Sequence, residues 1–206
     1  MIDIVENAAQ LAVVALCFAV SMARAVRGRD RMWVILSFSY GCTFFSLVYW
    51  TCYLVAFGQT PRYSYAPDLG WMASYIFLAI LLVEFDAQRS TAAPMRAAWI
   101  VPAVCVPTCI LYCTHGDILL NVADCALMAA IGYFATRGAL APSSSEVAGN
   151  RPLHIAVLAF AVAELVLWTA SCFWTPENYL PYVVADYALT ASYAVMLACA
   201  WKASLE

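Results

Sequence analysis

Asp3, Asn7 and Gln10 fall at i, i+4 and i+7 of the first apolar stretch, a spacing that puts all three on one helical face. Asp117, Asn121 and Asp124 repeat that spacing further along the chain. Polar groups at membrane depth are costly unless they face a partner, a ligand or water. At 1.5 Å per residue, Gln10 and Asp124 are expected about 10 Å in from the outer helix ends. Trp50, Tyr75, Trp168 and Tyr193 are expected at a similar depth, each about seven residues from an outer helix end. These eight residues, Asn7, Gln10, Trp50, Tyr75, Asn121, Asp124, Trp168 and Tyr193, are the candidate ligand-binding layer. The same types also serve as interfacial aromatic belts and as interhelical hydrogen-bonding pairs. Glu164 stands alone in the middle of its apolar stretch, with no lysine or arginine at its depth. Such an acid is expected either to hydrogen-bond across helices or to cycle a proton during transport. Asp68 and Asp186 read as helix N-caps. With Asp3, Asp117 and Glu177 they would otherwise form a cation-attracting vestibule.

Several other chemistries fail on inventory. Nine cysteines lie mostly within apolar stretches, where they behave as small hydrophobes. Cys105, Cys109 and Cys113 share a helical face near His115, but no CxxC pair and no second nearby histidine supports a metal or redox centre. The only other histidine, His154, belongs near the opposite face, which leaves no pair for heme or zinc. Lys202 sits at the end of the last stretch, too shallow for a retinal Schiff base. No nucleophile elbow, P-loop or glycine-rich phosphate loop occurs. No metal, cofactor or enzymatic activity is expected.

The elements that position these residues are membrane helices. Hydrophobic residues make up 65% of the 206, charged residues 11%, and mean hydropathy is +0.80. A soluble domain carries about 25% charge, and here apolar runs long enough to cross roughly 30 Å of hydrocarbon recur throughout. The expected spans are 5–24, 32–57, 68–87, 95–113, 117–136, 152–173 and 182–202. Helix 4 carries Pro102 and Pro107 and is expected to kink. The first residues lack a basic n-region and a small-residue cleavage site, so the first span is read as helix 1 and not as a signal peptide. Under a seven-helix count Arg24, Arg27, Arg29, Arg31, Arg89, Arg96, Arg137, Arg151 and Lys202 share one side, and only Arg62 falls on the other. The positive-inside rule then puts the N-terminus outside and the C-terminus in the cytoplasm. The segment 139–150 is expected to be a polar cytoplasmic loop, and nucleic acid is excluded by the lack of any basic patch.

An internal repeat organises the spans. Asp3-Ile4, Asn7, Ala9 and Ala12 match Asp117-Ile118, Asn121, Ala123 and Ala126 at an offset of 114. Leu47-Val48-x-Trp50-Thr51 matches Leu165-Val166-x-Trp168-Thr169 at 118, as do Asp68 with Asp186 and Ala73-Ser74-Tyr75 with Ala191-Ser192-Tyr193. Thr60-Pro61 pairs with Thr175-Pro176. Residues 1–90 and 115–206 thus read as two three-helix units of like orientation, joined by a linker helix in 91–114.

This 3+1+3 arrangement of parallel repeats resembles the SWEET sugar transporters, the PQ-loop proteins and the nicotinamide-riboside transporters. The resemblance covers the full length as architecture only. The Pro-Gln dipeptide of the PQ-loop is absent, and no binding residue is carried over. The expected function is a small transporter or facilitator that holds a small polar, neutral or cationic solute between the repeats. The alternatives are a seven-helix sensor acting through a separate cytoplasmic partner, and an intramembrane lipid-directed enzyme using Asp124 and Glu164. The expected setting is a lipid bilayer, the cytoplasmic membrane of a prokaryote, and homo-oligomers are compatible with it.

Overall fold

A computed structural model describes residues 2–28, 30–59, 65–87, 96–140, 150–175 and 177–205. Among them the chain forms seven α-helices and no strand: α1 (Ile2–Gly28), α2 (Arg31–Phe57), α3 (Tyr65–Ala87), α4 (Ile100–Cys113), α5 (Ile118–Ala139), α6 (Arg151–Cys172) and α7 (Leu180–Ala203). A 3-10 turn at Arg96–Trp99 leads into α4. With that turn, all seven are long and apolar enough to span a membrane. Their outward faces carry Leu16, Val26, Phe45, Leu119 and Val184, all exposed in the isolated chain. Apolar side chains all round a helix fit a hydrocarbon surround and not a water-facing surface. The chain is a multi-pass membrane protein.

Local signals explain the helix ends. Asp30 accepts a hydrogen bond from Met32 N at 3.0 Å and starts α2, and Gly58 closes it with φ +64°, a left-handed position suited to glycine. Asp117 caps α5 by accepting from Leu120 N at 3.0 Å. Asp186 is not a cap. α7 begins at Leu180, where Pro181 in the first turn needs no amide partner, so Asp186 lies nearly two turns inside the helix and is buried. Asp68 likewise falls inside the first turn of α3, which starts at Tyr65. In α4, Pro102 occupies the first turn, where its missing N–H costs no hydrogen bond, and Pro107 lies within the helix. The Asp3 side chain, Arg29, Thr60, Pro61, Arg62, Arg89, Pro176 and the segment 141–149 lie outside the described residues.

The chain divides into two compact units, Met1–Leu78 and Ala79–Glu206. In the first unit α1 packs along α2. Phe18 of α1 lies over Gly41, where an added Cβ would stand 3.0 Å from its ring, and stacks on Phe44 at 5.7 Å. A hydroxyl ladder joins α2 to α3. Ser39 Oγ and Thr43 Oγ1 each lie 2.9 Å from Ser74 Oγ, and Ser46 Oγ donates to Pro67 O at 3.0 Å. Gly70 faces Ser46 so closely that a Cβ would overlap the serine oxygen. Small residues let two membrane helices approach, and each interhelical hydrogen bond adds roughly 0.5–2 kcal/mol.

In the second unit α4 packs on α5 and α6, α5 on α6, and α6 on α7. Gly132 of α5 lies against Val101, and Gly138 against the buried ring of His154. Near that end Arg137 Nη1 pairs with Asp86 Oδ2 at 3.0 Å, and its guanidinium lies 5.6 Å from the centroid of Tyr133. Arg96 precedes α4, Arg137 ends α5, Arg151 opens α6 and Lys202 ends α7. Successive helices of this unit run antiparallel, so these four basic residues gather at one end. The α4–α5 and α6–α7 connections form the other.

Candidate functional site

Polar side chains buried inside membrane-length helices mark the candidate sites. On α1 the buried stripe is Glu6, Gln10, Val14, Cys17, Ser21 and Ala25, spaced by three and four residues. Glu6 and Gln10 are therefore the enclosed polar pair, and Asn7 lies half-buried beside the stripe. Tyr75 is buried on α3, and Trp50 packs on Trp71 at 5.8 Å between ring centroids. Thr51, next to Trp50, has an enclosed hydroxyl that meets no hydrogen-bond partner among the described residues. All of these lie in the first unit.

In the second unit the structure joins two of the sequence-predicted residues through one that the sequence did not single out. Tyr112 of α4 donates or shares hydrogen bonds with Leu165 O at 2.8 Å and Thr169 Oγ1 at 2.9 Å. Trp168 meets the Tyr112 ring edge-on at 5.8 Å, and Asn121 Nδ2 donates to Tyr112 O at 2.9 Å. Asn121 and Trp168 thus both hold α4 in place. Asp124 is half-buried on α5, one turn before Met128 on the packed face.

A further enclosed polar set, this one carrying two carboxyl groups, lies on α6 and α7. Glu164 is 3% exposed, Asp186 7% and Thr190 7%. Phe160 packs against Tyr193 at 5.3 Å, which sets the antiparallel register of the two helices. One turn further along α6, Glu164 then comes level with Leu189 and Thr190 on α7. Asp186, Thr190 and Tyr193 recur at i, i+4 and i+7, one face of α7. The Thr190 hydroxyl meets no hydrogen-bond partner among the described residues. Two carboxyl groups and an open hydroxyl, enclosed by apolar helices, suit a ligand that offers hydrogen-bond donors.

The aromatic residues do not share one depth along their helices. Trp168 lies one turn, about 5 Å, from the end of α6, whereas Tyr193 lies about 20 Å from the start of α7. The difference arises because α7 starts well before Asp186. Sequence reasoning missed Glu6, Tyr112 and Thr190. Only Thr190 had a readable signal, its position one turn after an acid.

The cysteines of α4 line its contact with α5. Cys109 Sγ lies 4.0 Å from Asn121 O and Cys113 Sγ 3.9 Å from Ile118 O, with Cys105 and Cys125 buried. Among the described residues no group of three histidine, cysteine or carboxylate side chains is placed to hold a metal ion. His115 is exposed beside Thr114, and His154 is enclosed at the other end of the unit, edge-on to Phe85. A separate groove of about 630 Å³ runs between α4 and α6, with apolar walls and Asn178 at its rim.

No protein-family model, curated protein or solved structure matches this chain.

Proposed function

We propose that this protein is a small membrane transporter or facilitator for a small polar solute, neutral or cationic. The observation that carries this reading is the enclosed polar set of α6 and α7, in which Glu164 and Asp186 are buried and the enclosed Thr190 hydroxyl meets no hydrogen-bond partner among the described residues. Ionisable groups inside membrane helices are expensive, and they mark solute or proton pathways more than packing. Buried carboxyl groups favour a ligand with donors and a neutral or positive charge over an anion. Supporting the reading, Glu6 and Gln10 are buried in the first unit, and the ordered sequence matches between 1–90 and 115–206 fit a duplicated transporter with α4 as linker. The basic residues at one end of the second unit favour a cytoplasmic location for that end.

Purified protein screened by thermal shift against polar metabolites, then by uptake into proteoliposomes, tests the proposal. A stabilising solute that is also taken up, with uptake reduced at least tenfold by Glu164→Gln and by Asp186→Asn, is the expected result. Uptake by both variants equal to wild type from pH 5.5 to 8 would remove this pair from the pathway. A ligand that binds and is never transported would favour the sensor reading.

A further inference from the structure

The groove between α4 and α6 takes no part in the polar set described above, and its chemistry differs. Val104, Val162 and Val166 form its walls on membrane-spanning helices, and each is about half exposed in the isolated chain. Its two wall threonines have their hydroxyls engaged by backbone carbonyls. Thr108 Oγ1 is held by Val104 O and Cys105 O at 3.1 Å, and Thr169 Oγ1 donates to Leu165 O at 2.7 Å. Tyr112 ties the two walls together. The groove follows α6 from Val162 to Phe173, about 16 Å at helical rise, and its 630 Å³ is within the range of small-ligand sites.

One rim is polar, at the α6–α7 connection. Asn178 is exposed there, and its backbone N–H bonds to Thr175 Oγ1 at 3.1 Å while its carboxamide makes no hydrogen bond among the described residues. The exposed ring of Phe173 lies beside it. Glu177 adjoins Asn178, and the four basic residues of this unit among the described residues sit at the opposite end. This rim therefore disfavours an anionic head and offers a neutral one both a donor and an acceptor. The walls belong to membrane-spanning helices, so the occupant enters from the bilayer.

We propose that the α4–α6 groove binds a single-tailed amphiphile with an uncharged, hydrogen-bonding head of the monoacylglycerol type, tail between the valines and head at Asn178. The site is independent of the transport reading, and its test does not use transport. The protein is reconstituted in phosphatidylcholine nanodiscs with a monoacylglycerol carrying a diazirine in its acyl chain. After illumination the labelled peptides are mapped by mass spectrometry. Labelling is expected to concentrate on α4 and α6 and to fall at least fivefold in Val166→Trp and in the milder Val104→Phe. Asn178→Ala should lower it severalfold, and Val195→Trp, on α7 outside the groove, should leave it unchanged. Each variant is compared only after its melting temperature shows a folded protein. Labelling spread evenly over the outward faces, or indifferent to both groove-filling variants, would mean ordinary lipid solvation and overturn the proposal. Equal or stronger labelling by the corresponding lysophosphatidic acid probe would overturn the assignment of an uncharged head.

Discussion

The Tyr112 hydroxyl stands 2.8 Å from the carbonyl oxygen of Leu165, so a side chain of α4 bonds directly to the backbone of α6. Thr169 Oγ1 donates to the same carbonyl at 2.7 Å, which means the carbonyl keeps a partner when the phenol is removed. Tyr112→Phe is therefore expected to cost only about 1 kcal/mol. Tyr112→Ala, which also loses the edge contact with Trp168, is expected to cost about 3–5 kcal/mol. Unfolding by SDS titration in mixed micelles measures both, and equal losses would show that the ring contributes nothing.

The Asp86–Arg137 pair is mostly buried, with 14% of each side chain exposed. Removing one partner leaves the other charge in poor solvent, so Asp86→Asn or Arg137→Gln should each destabilise by roughly 2–4 kcal/mol. The double substitution should cost less than the sum of the two. A double-mutant cycle checks this, and strict additivity would show that the two residues are not coupled.

Gly70 and Ser46 set the separation of α2 from α3. Gly70→Ala pushes a methyl group into the serine oxygen and is expected to cost about 1–3 kcal/mol. Ser46→Ala in the same chain removes that oxygen and should recover most of the loss, despite forfeiting the bond to Pro67 O. Failure of this rescue in the same unfolding assay would show that the clash is relieved in some other way.

The cap at Asp117 is local and exposed. Asp117→Ala should cost about 1 kcal/mol by losing the bond to Leu120 N, and Asp117→Ser should cost less. By contrast, Asp186→Ser should not behave as a cap replacement, because Asp186 lies inside α7. If Asp186→Ser were as mild as Asp117→Ser, the buried setting of Asp186 would be wrong.

The orientation is testable without any ligand. With the basic ends cytoplasmic, a reporter fused after Lys202 should be active only if it is a cytoplasmic-type reporter. A cysteine placed at Gly116, in a variant whose other exposed thiols are removed, should react with an impermeant maleimide from outside intact cells. The opposite labelling pattern would invert the proposed topology.

Hydropathy and length alone made the seven spans readable, because crossing hydrocarbon demands an unbroken apolar run whatever the helix packs against. Individual caps were partly readable. In the sequence Asp117 reads as part of a one-face polar trio and of the alternative vestibule, whereas the structure makes it a cap; Asp186 reads as a cap, whereas α7 starts before it at Leu180. Gln10 and Glu164 stand out in the sequence as polar residues within apolar stretches, and both are buried.

Which face of each helix is enclosed was decided by tertiary structure. In a soluble helix the polar face announces the solvent side, but here lipid and protein interior are equally apolar, so periodicity carries little information about facing. That is why Glu6 and not Asn7 shares the buried stripe with Gln10. It is also why the Ser39–Thr43–Ser74 ladder, the Tyr112 tie and the open Thr190 hydroxyl came only with the packing. A hydroxyl can satisfy itself on its own helix or reach across to another, and only the position of the neighbouring helix selects between the two.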